Sequence, residues 1–74
     1  MIDEHDRVVL TQDQPSHGLE AGDVGTVVHV YPDRQAFEVE FVTLTGETVA
    51  VITVEREKVR PVRARELTHA RGME

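Results

Sequence analysis

The sequence predicts an all-β domain, a small barrel of five short strands followed by a short tail. Three observations carry that reading. Residues 36–42, Ala-Phe-Glu-Val-Glu-Phe-Val, alternate apolar and polar side chains, the mark of a strand with one buried face. Gly22 and Gly25 bracket the start of a β-branched run that reaches Tyr31. Two hairpins built on these segments agree on which side chains turn inward, and a one-residue slip in either would turn the core outward.

Asp6-Arg7-Val8-Val9-Leu10 reads as the first strand. Residues 11–23 form a long loop broken by Pro15, Ser16, Gly18 and Gly22, with Leu19 as its anchor to the core. Gly25 stands where a positive φ, a bulge or a close backbone approach suits glycine. The second strand, 24–31, turns at Pro32-Asp33-Arg34-Gln35 into the third, 36–42. Across that turn Val30 lies opposite Phe37, Val28 opposite Val39 and Thr26 opposite Phe41. The expected core is Val28, Val30, Phe37, Val39, Phe41 and Ile52. On the outer face His29 meets Glu38 and Val27 meets Glu40, a placement suited to a cross-strand charge contact. After the turn Leu44-Thr45-Gly46-Glu47 comes strand four, about 47–54. It sets Ala50 against Phe41, Ile52 against Val39 and Val54 against Phe37. Residues 55–58 suit a single helical turn. Residues 59–62 form a last strand at an edge or strand end, because Pro61 has no amide to donate. The barrel is thus assigned to 1–62. The tail, 63–74, carries one leucine and is compatible with a frayed helix.

This order of elements resembles that of a Src-homology-3-like (SH3-like) barrel. The segment Gly22-Asp23-Val24-Gly25-Thr26-Val27-Val28 resembles the glycine-plus-valine strand of such barrels in bacterial translation and transcription proteins. A closer resemblance spans residues 6–62. Asp6–Thr11, Gly18–Val28 and Phe37–Phe41 are similar to an uncharacterised bacterial family known only as a domain of unknown function. Its members are small, and some are found in toxin or mobile-element neighbourhoods. The resemblance implies a stand-alone acidic SH3-like barrel with a binding or inhibitory role, and supplies no catalytic residues to carry over.

Composition narrows the chemistry. There is no cysteine, which excludes disulfides and thiolate metal sites and fits a reducing cytoplasm. The acidic start, Met1-Ile2-Asp3-Glu4, lacks the basic flank and apolar run of a secretory signal. No stretch reaches membrane-spanning length. Charge is uneven. Residues 1–54 hold two arginines against ten acids, a net of −8, whereas residues 55–74 hold six bases against four acids, a net of +2. An acidic body repels phosphate backbones and attracts basic partners.

Asp3, Glu4, His5 and Asp6 cluster at a chain end without zinc-like spacing, so no metal is expected. Ser16 beside His17 lacks the third group of a triad. Glu38 and Glu40 share one face, but one tyrosine and no tryptophan make no sugar platform. No cofactor and no catalytic residue are expected. Arg56, Lys58, Arg60, Arg63 and Arg65 form a basic stretch, but acids interrupt it and no aromatics stack beside it. What stands out is an outer face bearing Val27, Val42, Val49 and Val51, rimmed by Glu38, Glu40 and Glu47. Apolar patches of this kind mark contact surfaces. The competing account is that the tail covers the patch through Leu67. The expectation is a non-enzymatic protein-binding module. Its partner is a basic protein, inhibited in an antitoxin-like or immunity-like manner, or a second copy of the chain. The alternative is a nucleic-acid-associated accessory domain acting through the basic segment.

Overall fold

A computed structural model describes residues 1–73. Five strands form one antiparallel sheet: β1 (Arg7–Leu10), β2 (Val24–Val30), β3 (Ala36–Val42), β4 (Thr48–Glu55) and β5 (Val59–Pro61). Their order across the sheet is β4-β3-β2-β1-β5. Consecutive strands meander, and β5 returns to pair with β1. A 3-10 turn, Arg56–Lys58, joins β4 to β5. This is the small all-β barrel layout that the alternating pattern predicts.

The core is aliphatic with two rings. Val8, Leu10, Leu19, Val27, Phe37, Val39, Phe41, Ile52, Val54 and Val59 pack together. Leu19 reaches it from the long loop, which is pinned by an isolated bridge between Gln14 and Leu19 and by a 3-10 turn over Pro15–His17. Gly18 closes that turn at φ 70°, a left-handed conformation that glycine adopts without a Cβ penalty.

The β3–β4 register is as expected from Phe37–Val54 to Phe41–Ala50. The β2–β3 register is not. His29 pairs with Glu38 and Val30 with Phe37, but Val27 pairs with Val39 and Thr26 with Glu40. A bulge at Val28 takes up the extra residue. Val27 is therefore core, 0% exposed, and Val28 is 41% exposed; the expected roles of the two are exchanged. Val30 is only half-buried. The cause lies at Gly25, on the same side of β2 as Val27. A Cβ there would meet Val39 Cγ1 at 2.5 Å, Phe41 Cε1 at 2.9 Å and the Glu40 carbonyl at 3.0 Å. β2 thus runs close over the core, with glycine inward at one position and valine at the next inward one. That phase requires the bulge, since strict alternation back from Val30 points the other set inward. Gly25 has no positive φ, so close approach is what its position uses.

A second irregularity lies between Phe41 and Val42. Val42 pairs with Thr48, not Val49, and Val49 is half-buried against the core. The tail is not helical in its described part, residues 62–73; Glu74 lies outside the described residues. It runs past β1, where Val9, Arg60, Val62 and Leu67 border a shallow cleft. Leu67 itself is 95% exposed and covers no valine patch.

Four substitutions check this packing by chemical denaturation. Phe41→Ala should cost about 3–5 kcal/mol, enough to unfold most of a domain with a small stability reserve. Val27→Lys should unfold the protein, whereas Val28→Lys should stay within about 0.5 kcal/mol of the parent. Gly25→Ala should destabilise by about 1–3 kcal/mol, because a backbone carbonyl closes one side of the space.

Candidate functional site

The outer face of β3 and β4 is a ladder of carboxylates and hydroxyls. Glu38 accepts a hydrogen bond from the Thr53 hydroxyl at 2.7 Å and one from the Tyr31 hydroxyl at 3.2 Å. Glu40 accepts from the Thr48 hydroxyl at 2.9 Å. His29, opposite Glu38, packs edge-on against Tyr31 at 5.1 Å between ring centroids. The cross-strand position is as expected, but the ionic neighbour of His29 is Glu4, with Nδ1 4.0 Å from Oε2. Among the described residues, no basic side chain pairs with Glu38, Glu40 or Glu47.

Of the valines assigned to this face, Val42 and Val51 are there, 48% and 54% exposed. Val27 is not, because the bulge turns it inward, and Val49 is drawn toward the core. The continuous four-valine patch therefore reduces to two valines set among Thr48, Thr53, Glu38 and Glu40.

The sheet face leads into a groove that the sequence does not reveal. It encloses about 460 Å³, with Phe41 and Leu19 among its lining, Val24, Val42 and Leu44 on the barrel side, and Leu67–Ala70 with Met73 on the tail side. Arg71 holds the tail in place. Its Nε donates to Asp23 Oδ1 at 2.8 Å and its guanidinium also donates to the Gly18 carbonyl at 3.0 Å. Glu20 Oε1 lies 3.5 Å from Nε. Asp23 also accepts the Glu20 amide at 2.9 Å. The hydrogen bonds from Arg71 hold the Asp23 carboxyl below its ordinary value of 3.8, against the effect of partial burial. Nearer β5, Arg60 grips Glu66 through two bonds of 2.9 and 2.7 Å. Together with the Arg63 amide, it holds Glu66 down to about 2. The only sequence signal for this strap is a lone arginine near a chain end, whose acidic partners lie some fifty residues earlier.

The N-terminal acids do not remain a loose end. Asp3 pairs with Arg34 at 2.8 Å, Ile2 packs on the core, and the His5 amide donates to the Val27 carbonyl at 2.7 Å. Ser16 and His17 sit exposed on their 3-10 turn. Among the described residues, no helix is long and apolar enough to cross a membrane.

A family model describing a domain of unknown function, DUF4926, matches residues 4–61. The chain belongs to the DUF4926 family. No curated protein and no solved structure matches it. The DUF4926 match takes in all five strands and the Glu38–Glu40 face, and leaves the Arg71 strap outside.

The strap should respond to pH in one direction. A carboxyl with a lowered folded pKa contributes stability that is complete above its ordinary value and is lost as pH falls through the lowered one. The tail should therefore stay docked from neutral pH to about pH 5 and release below the ordinary 3.8 of Asp23. Asp23→Asn should release it at neutral pH. Amide chemical shifts of residues 67–73 report both events.

Proposed function

We propose that this DUF4926 domain is a non-catalytic protein-binding module that engages a basic partner through the β3–β4 face and the adjoining hairpin end. The observation that carries this reading is the pairing of exposed apolar side chains, Val42, Leu44 and Val51, with three carboxylates, Glu38, Glu40 and Glu47, that have no cation partner among the described residues. Apolar residues anchor a contact, and uncompensated acids steer an oppositely charged partner and suppress like-charged ones. The long-range field agrees, since residues 1–54 carry a net of −8. An inhibitor that covers a basic surface, as an antitoxin-like or immunity-like protein does, is the form of module this charge suits. The absence of cysteine fits action in a reducing cytoplasm.

The ion pairs of the C-terminal segment support this reading over a nucleic-acid role. Lys58, Arg60 and Arg71 are each engaged by carboxylates, which reduces the free positive charge on which phosphate binding depends.

Photo-crosslinking in cells of the source organism tests the proposal. A photoreactive side chain at Val42 or Leu44 should give a discrete protein adduct that high salt diminishes. The same group at Arg65, exposed on the tail, should give none. Nucleic-acid adducts at Arg65, or no adduct at Val42 and Leu44, overturn the reading.

A further inference from the structure

The sheet has two edges, and they differ. β5 is three residues long and ends in Pro61, two features that blunt an edge against further pairing. β4 is eight residues long, Thr-Val-Ala-Val-Ile-Thr-Val-Glu, with no proline, lysine or arginine. Among the described residues it pairs only with β3.

The phase of the ladder tells which backbone groups face out. The Tyr31 amide donates to the Ala36 carbonyl at 3.2 Å, and the Arg56 amide donates to the Gln35 carbonyl at 2.9 Å. In antiparallel pairing, hydrogen-bonded pairs alternate with pairs whose backbone groups turn away from each other. Carried along the register, Phe37–Val54 and Val39–Ile52 are the bonded pairs of β3 and β4. The N–H and C=O groups of Val51, Thr53 and Glu55 then turn to the open edge, and all three residues are exposed. One strand inward lie Glu38 and Glu40, which among the described residues accept side-chain hydrogen bonds only from hydroxyls. An added strand would run about 4.8 Å outside β4. From it, an outward lysine or arginine reaches back over Val51 or Thr53 to those carboxylates.

We propose that the open edge of β4 is a strand-addition site for an extended segment of a partner protein whose outward positions carry lysine or arginine. This rests on the protein-binding reading above and specifies its mode. Main-chain bonds supply affinity, and the carboxylates choose the side chains and the register. A second copy of the chain fits less well. Antiparallel self-pairing centred on Val51 sets Glu55 opposite the other copy's Glu47. It also brings valine and threonine, not cations, over Glu38 and Glu40.

The probe is a synthetic peptide of roughly nine residues alternating lysine and valine, long enough to lie along β4, titrated into isotope-labelled protein. Amide shifts and slowed hydrogen exchange should centre on Val51, Thr53 and Glu55, weaken with salt, and be absent with a valine–glutamate peptide. Val51→Pro removes a donor from the open edge and none from the β3 ladder. It should weaken binding on the order of tenfold, the loss of one or two backbone bonds. Should that variant not fold, Val51→Lys serves in its place, since its cation beside Glu40 repels the peptide and should weaken binding likewise. A folded Val51→Pro protein that binds as tightly as the parent overturns the proposal. Peptide shifts confined to Val24 and Leu44 in the groove overturn strand addition and leave the protein-binding reading standing. Shifts at β4 that grow with protein concentration alone assign the edge to a second copy and overturn the basic partner. No binding by the lysine–valine peptide also overturns strand addition, while crosslinking at Val42 independently judges the broader reading.

Discussion

The close passage of β2 over the core is the constraint on which the remaining structure depends. Gly25 leaves no room for a side chain between itself, Val39 and Phe41. With glycine inward there, the next inward position is Val27, and the strand must absorb one extra residue before it pairs through His29 and Val30. A bulge of this kind bends a strand and raises its twist. In this protein it lets one strand serve two partners: Val24–Thr26 of β2 pair with β1, while Thr26–Val30 pair with β3. A barrel this small has little core to spare. The placement of one valine therefore matters, and Val27 ends among its most buried side chains.

The same bulge shapes the outer surface. By turning Val27 inward it removes an apolar side chain beside Glu40 and leaves the β3–β4 face to carboxylates, hydroxyls and two valines. Glu38 and Glu40 are thereby held by neutral donors, which satisfy their lone pairs without cancelling their charge. Three arginines elsewhere are spent locally, Arg34 on Asp3, Arg60 on Glu66 and Arg71 on Asp23. The β3–β4 face thus keeps its negative charge open, and it borders the longer unprotected edge of the sheet.

Much of the barrel was legible in order along the chain. The alternation of residues 36–42, the turn residues at 32–35 and 44–47, and the proline at 61 reflect local chemistry: side-chain period, φ preference and a missing donor. These determine the five strands, the single turn before β5, the inward set of β3 and β4, and the anchoring role of Leu19. The acidic balance was legible too, as was the outward placement of Glu38, Glu40, Val42 and Val51.

What the tertiary structure alone decided depends on contacts between distant residues. Whether Val27 or Val28 faces inward cannot be read from a run of β-branched residues. It turns on how near Gly25 comes to Phe41, sixteen positions away. Val49 follows the bulge opposite Val42 rather than the alternation of its own strand. The groove exists because Arg71 reaches Asp23 and Gly18, a contact across some fifty residues that no local propensity encodes. The sequence by itself determined the strands and their charge; the packing of one strand over another decided which valines remain on the surface.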